Sequence, residues 1–267
     1  MKRIHWIILA LAASSLLLLP LGGYSSGTLS DISYKVKSTD GNRLESLFKG
    51  GGILRGHEES SRITFTFDDG PDHRTTPILL DQLDRYHVKA TFFVNGARFH
   101  PKTAGSVENQ AVLREIYKRG HFIGNHSFSH KDITTLDGDQ WRSEILQVSQ
   151  LVNNITGRRI RLFRPPFGRT DSVSLARLRE DGYTVVMWNL DPMDWNATST
   201  ELLVDRTKSL IEENPSGGIF LLHDTNRNTA EAFPLIMEYI QSRNEELRRA
   251  GKPTLEVVGI DQYISSK

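Results

Sequence analysis

A chain of 267 residues with 38% hydrophobic and 24% charged side chains has the composition of a folded globular protein, long enough for one catalytic domain with short appendages. Its 33 Lys and Arg against 32 Asp and Glu leave a formal net charge of +1, which gives no electrostatic case for a nucleic-acid or polyanion partner. It has no cysteine, which excludes disulfides, thiolate catalysis and cysteine-ligated zinc.

Lys2 and Arg3 precede an apolar run from Trp6 to Leu21, with small residues beyond it (Gly22, Gly23, Ser25). This pattern predicts a signal peptide or an uncleaved N-terminal anchor over residues 1–24, and so an exported protein. A lipoprotein signal would need a cysteine at its cut site. Residues 25–60, rich in Ser, Gly and charge and including Gly50-Gly51-Gly52, read as a linker. Residues 61–262 carry the alternating pattern of the catalytic domain.

In that domain Ile63, Phe65 and Phe67 alternate with Thr64 and Thr66, which predicts a half-buried first strand. Thr76-Pro77 starts a helix through Ile78–Tyr86, and Thr91–Val94 is the second strand. Val112–Lys118 is helical and is stopped by Gly120, before a third strand at His121–Gly124. Asp137 with Gln140 forms a capping box for a helix ending near Gly157. Leu162–Arg164 is a fourth strand, followed by a helix over Asp171–Asp181. Thr184–Trp188 is a fifth strand, and Thr198 with Glu201 caps a helix to about Asn214. Ile219–Leu222 makes a sixth strand, Thr229–Arg249 a helix and Thr254–Val258 a seventh strand. Among the tryptophans, Trp6, Trp141 and Trp188 are expected in the core.

Such alternation implies a parallel sheet, because each parallel connection needs a crossover. Polar residues fall at the C-terminal ends of strand after strand: Asp68 and Asp69, His126 and His130, Arg164, Asp191 and Asp194, and His223. An open doubly wound sheet gathers ligands mainly at one switch point. The distribution therefore favours an α/β barrel with about seven parallel strands.

Two adjacent carboxylates at a strand end, Asp68-Asp69, point in different directions and can hold different roles, one on a metal and one as a base. His126 and His130 have the i, i+4 spacing that puts two imidazoles on one face of a helical turn. With an aspartate from a neighbouring strand end they supply three ligands and leave a position open for water. Pro165 and Pro166 present Arg164 and the Phe167 amide rigidly; beside a carboxylate, the arginine lowers its pKa and keeps it ionised. A histidine such as His223, close to an acid, is held protonated as a general acid. Phe167 and Trp195 offer flat faces for a sugar ring.

In this order, TFDDGP (66–71), HSFSH (126–130), RPPFG (164–168), DPMDW (191–195) and LLH (221–223) resemble the five motifs of the polysaccharide deacetylase family, the NodB-homology domain of carbohydrate esterase family four. The likeness runs from about residue 61 to 260. It implies a distorted (β/α) barrel and hydrolysis of N-acetyl groups from an N-acetylated polysaccharide. By position, Asp68 is the catalytic base, oriented by Arg164. Asp69, His126 and His130 are the metal ligands. His223 is the general acid, tuned by Asp194. Leu221 lines the acetyl pocket, and the Phe167 amide helps to hold the oxyanion. Tyrosine is frequent where Phe167 stands, a mild departure because the amide does the work. Zinc is the first choice of metal, with cobalt, nickel or manganese suited to the same ligands.

The substrate expected first is peptidoglycan, at its N-acetylglucosamine units. Chitooligosaccharide, poly-N-acetylglucosamine and acetylated xylan are alternatives. An inactive glycan-binding protein and a non-haem iron oxygenase, whose facial triad is also two His and one carboxylate, are the readings from other classes. A monomer is expected, with membrane contact only through an uncleaved N-terminal segment.

Overall fold

The computed structural model describes residues 53–54 and 61–264. The predicted export segment and all of the predicted linker except Ile53-Leu54 lie outside the described residues. Eight strands form one parallel sheet in the order β1 (Ile53–Leu54), β6 (Thr184–Val186), β5 (Leu162–Phe163), β4 (Phe122–Asn125), β3 (Thr91–Val94), β2 (Arg62–Asp68) and β7 (Gly217–His223), with β8 (Glu256–Val257) on β2. Beyond β6 the chain crosses to β7. Leu190 pairs with Phe220, Leu190 N–H donates to the Ile219 carbonyl at 3.1 Å, and Leu221 N–H donates to the Leu190 carbonyl at 2.9 Å. This seam turns the sheet into a distorted (β/α) barrel, as predicted.

The helices are α1 (Thr76–Arg85), α2 (Ser106–Lys118), α3 (Gly138–Trp141), α4 (Gln147–Thr156), α5 (Ser172–Glu180), α6 (Thr200–Glu213), α7 (Arg227–Arg249) and α8 (Ile260–Ile264). A π-helical turn, Arg142–Leu146, joins α3 to α4. The Asp137–Gln140 capping box is present. The cap of α6 differs from expectation: the Ser199 side chain accepts from Leu202 N–H, so the cap lies one residue beyond Thr198 and the helix starts at Thr200. Helix α2 begins earlier than predicted because its cap is Gly105, in the left-handed conformation, which gives no side-chain signal.

Strand β2 is buried on both faces, unlike the half-buried strand predicted. Ile63, Phe65 and Phe67 join the apolar layer under the helices, with Leu79, Leu113, Phe220 and Phe233. The intervening Thr64 and Thr66 are also buried and face the barrel interior, where the Thr66 hydroxyl donates to the Phe220 carbonyl. A second cluster combines Phe93, Leu162, Val186 and Ile219 with Ile260, Tyr263 and Ile264 of α8. Arg62, at the start of β2, donates to the Gln262 carbonyl at 2.9 Å. Helix α8 thus covers the N-terminal end of the strands, and the opposite end is left for chemistry.

Candidate active site

Parallel pairing sets the site. Asp68, last in β2, lies in register with Phe93 of β3 and His223 of β7, so a carboxylate and an imidazole stand side by side on neighbouring strands. Asn125 ends β4 and His126 follows it. Arg164 follows β5.

Arg164 is fully buried and spans the barrel interior. One guanidinium nitrogen, Nη1, donates to Asp68 Oδ1 at 2.8 Å and to Thr66 Oγ1 at 2.6 Å. Nε and Nη2 donate to the Val186 and Met187 carbonyls. The guanidinium also lies 4.3 Å from the centroid of the Phe93 ring. Each polar atom thus has the partners that a buried charge requires. The Asp68 pKa is raised, not lowered as the adjacent arginine alone predicts. Burial raises it more than the Arg164 charge and hydrogen bond lower it, so the carboxyl lies above its ordinary value. A carboxylate of raised pKa is a stronger proton acceptor, so the arginine orients the group while burial sets its basicity.

Beside it, Asp69 Oδ1 lies 3.7 Å from His126 Nε2 and 3.6 Å from His130 Nε2, and these ligand atoms lie within 4.8 Å of one another. The two histidines are not on a helical turn as the spacing suggested. They lie in a loop in which Ser127 and His130 have φ values of 65° and 60°, so two left-handed residues, not helical periodicity, bring the rings together. Asn125 braces this loop, accepting Ser127 N–H at 2.9 Å and donating to the Ile145 carbonyl at 2.9 Å. His126 Nδ1 contacts the Arg164 carbonyl at 2.8 Å. That acceptor places the proton on Nδ1 and leaves the Nε2 lone pair facing the space between Asp69 and Asp68, whose Oδ2 lies 3.6 Å away. Burial holds the His126 pKa down, at about 3, so the ring is neutral. One carboxylate oxygen and two imidazole nitrogens converging from two loops fit a divalent ion of the zinc type, with cobalt, nickel or manganese compatible.

His223 completes the group from the other side, with Nε2 4.0 Å from Asp69 Oδ2. Its Nδ1 contacts Asp194 Oδ1 at 2.7 Å. The other Asp194 oxygen accepts His223 N–H at 2.7 Å and the Thr229 hydroxyl at 2.6 Å. Burial opposes a charge on His223, but the Asp194 hydrogen bond and charge, with Asp68 and Asp69 behind them, outweigh it and push the pKa up to about 9. The adjacent acid, Asp224, is not the partner of His223. It is buried, accepts from Thr76 Oγ1 at 2.6 Å, and is pushed up to about 7 mainly by burial.

The Phe167 ring packs edge-on to His130, with centroids 4.5 Å apart. Its backbone is left-handed at φ 59°, and the ring is 61% exposed. Trp195, next to Asp194, is 63% exposed and shows no contact with the metal triad. Leu221 is buried on β7, on the same face as His223 by strand alternation. Trp141 is buried, and Trp188 is half-buried under Arg164. A cleft of about 610 Å³ opens beside Asp69 and His130 and is lined also by Asp72, Arg74, Asn95 and Arg98. Thr66 was missed as a site residue because in sequence it is one more strand threonine. Only the closed barrel puts it against Arg164.

The family model for polysaccharide deacetylase matches residues 55–186. The peptidoglycan-N-acetylmuramic acid deacetylase PdaA of Bacillus subtilis is 34% identical over 195 residues, 72% of this chain and 71% of that protein. This chain belongs to the polysaccharide deacetylase family. Enzymes of that family are hydrolases acting on N-acetyl amide bonds. Another polysaccharide deacetylase relative, a peptidoglycan-N-acetylglucosamine deacetylase of Bacillus cereus, is 31% identical over 170 residues, 64% of this chain and 58% of that protein. The solved structure of the peptidoglycan deacetylase PdaC from Bacillus subtilis matches with a TM-score of 0.62 at 28% identity, covering 78% of this chain and 91% of that one.

Proposed function

We propose that this protein hydrolyses N-acetyl groups from N-acetylglucosamine units of peptidoglycan in a metal-dependent reaction that releases acetate. The observation that carries the reading is the placement of Asp68 and His223, in register on adjacent strands, flanking the Asp69–His126–His130 cluster. A base and an acid on either side of a metal site is the arrangement that amide hydrolysis needs; oxygen activation does not.

Asp69, His126 and His130 would hold the ion, which when bound supplies Lewis-acid polarisation of the acetyl carbonyl and a water of lowered pKa. Asp68, held by Arg164, takes a proton from the attacking water. The Phe167 amide, presented by the Pro165-Pro166 turn, donates to the developing oxyanion. His223, protonated and fixed by Asp194, gives its proton to the departing amine. Leu221 closes the floor where the acetyl methyl sits, and the exposed faces of Phe167 and Trp195 receive sugar rings.

Peptidoglycan is supported by the activities named for the relatives and by the export signal read over residues 1–24, which would place the enzyme at the cell envelope or outside the cell. No helix among the described residues is long and apolar enough to cross a membrane; an uncleaved N-terminal segment is the membrane contact proposed. The protein is expected to act as a monomer.

Acetate release from peptidoglycan, chitooligosaccharide, poly-N-acetylglucosamine and acetylated xylan, with and without a chelator, tests the reading. Release from peptidoglycan, abolished by the chelator and restored by zinc, is expected. Release from another glycan instead would reassign the substrate. Binding of peptidoglycan with no acetate release would overturn the activity and mark an inactive glycan-binding protein.

A further inference from the structure

We infer that Glu144 is a positioning residue for the metal ligand His130, acting through Ser129. The inference rests on the metal site proposed above. Glu144 lies in the π-helical turn Arg142–Leu146 and is 3% exposed. Its Oε2 accepts Ser129 N–H at 2.8 Å and its Oε1 accepts the Ser129 hydroxyl at 2.6 Å. Lys131 Nζ lies 3.1 Å from the same Oε1. One buried carboxylate therefore grips the residues on both sides of His130.

His130 needs such a grip. Its φ of 60° is a conformation that a side chain with a Cβ adopts only when its surroundings over-determine it. The chain before it gives no regular support, because residues 126–132 form neither helix nor strand. The π-helical turn supplies what an ordinary helix would not. Its wider winding re-phases the side chains relative to a continuous α-helix, and such turns mark places where a helix is bent to a task. Here it turns a glutamate inward from a helix whose neighbours Arg142 and Ser143 are exposed. A carboxylate out of water is costly unless fully hydrogen-bonded, and Glu144 satisfies that condition on the ligand loop. Groups that orient a metal ligand commonly change metal affinity by about 10–100-fold when removed.

The test is zinc affinity, measured by competition with a chromophoric chelator, together with the melting temperature of each metal-free protein. Glu144→Ala is expected to weaken zinc binding by about 10–100-fold. Glu144→Gln is expected to stay within about 3-fold of wild type, because its amide oxygen still accepts Ser129 N–H and its NH₂ donates to the Ser129 hydroxyl. Lys131→Met, which removes the ion pair and leaves both Ser129 hydrogen bonds, is expected to weaken zinc binding less than Glu144→Ala does. A folded Glu144→Ala protein of unchanged zinc affinity, whatever its melting temperature, would overturn the inference and leave a purely stabilising contact. If Glu144→Ala does not fold, Ser129→Ala carries the comparison: a several-fold loss of affinity supports the role, and none overturns it. Wild-type protein that takes no zinc would sink the metal site itself, an outcome visible before any variant is made.

Discussion

At the scale of single residues, the site separates its carboxylates by what surrounds them. Asp68 is buried and held by Arg164 through Oδ1, with Oδ2 3.6 Å from His126 Nε2, whereas Asp69, on a left-handed backbone, lies close to both His126 and His130. Asp68→Asn should therefore keep zinc affinity and lose about 10²–10⁴-fold in kcat; a loss of zinc binding in the folded variant would move Asp68 into the ligand set. The two raised pKa values set the pH profile. Asp68 must be deprotonated, so activity falls on the acid side as pH drops through a value above the ordinary one. His223 must carry its proton, so activity is full below its pKa and falls as pH rises through about 9. A dication on Asp69 opposes that proton, which places the alkaline limb at or below this value. Asp194→Asn removes the charge that sustains it, and the limb should move down toward the ordinary histidine value of about 6.5. An unmoved alkaline limb in the pH–rate profile of this variant would assign it to another group.

Among the elements, β4 shows how closely the strands must approach to present the ligands. A Cβ on Gly124 would lie 2.4 Å from Phe93 Cδ1 and 3.3 Å from Leu162 Cβ, two residues before His126. Gly124→Ala is expected to cost about 1–3 kcal/mol through overpacking and to lower zinc affinity as β4 shifts. Thermal melting and zinc titration check this, and a variant as stable as wild type would mean that Phe93 relaxes freely. The elements were largely legible in sequence. Thr91–Val94 is found at its predicted bounds, and the Asp137–Gln140 box starts its helix, because alternation and capping are local chemistry. Illegible were features that depend on non-local contacts or on backbone sign. The His126–His130 spacing suits a helix, yet the backbone there is left-handed at Ser127 and His130. Nothing in RSEIL announces a π-helical turn that carries Glu144 inward. Of the seven non-glycine residues at positive φ among the described residues, Asp69, Ser127, His130, Phe167 and Met193 lie in the motif loops. Such strain persists only where surroundings impose it, and no single-residue propensity reveals it.

Across the molecule, barrel closure turns residues scattered from 68 to 223 into one site, and the succession of polar strand ends made that much readable from sequence. What it left unread was the polar interior: Arg164 reaches Thr66 and Asp68 only because β2 and β5 face each other across a ring closed by Leu190 on β7. The proposed metal ligands come from the loops after β2 and β4, so an ion bound there would tie together two segments that are separate in the unfolded chain. Binding to the folded state alone stabilises it by about 2.7 kcal/mol at a zinc concentration 100 times the Kd. At roughly 2–4 °C per kcal/mol for a domain of this size, that is a rise of about 5–10 °C in Tm. Wild type and Asp68→Asn should both show the rise in a melting experiment with added zinc, and a chelator should remove it. His130→Ala should melt like the metal-free wild type and show almost no rise. If Asp68→Asn also failed to respond, the division between a metal-binding Asp69 and a proton-accepting Asp68 would be wrong, and both carboxylates would belong to the ion.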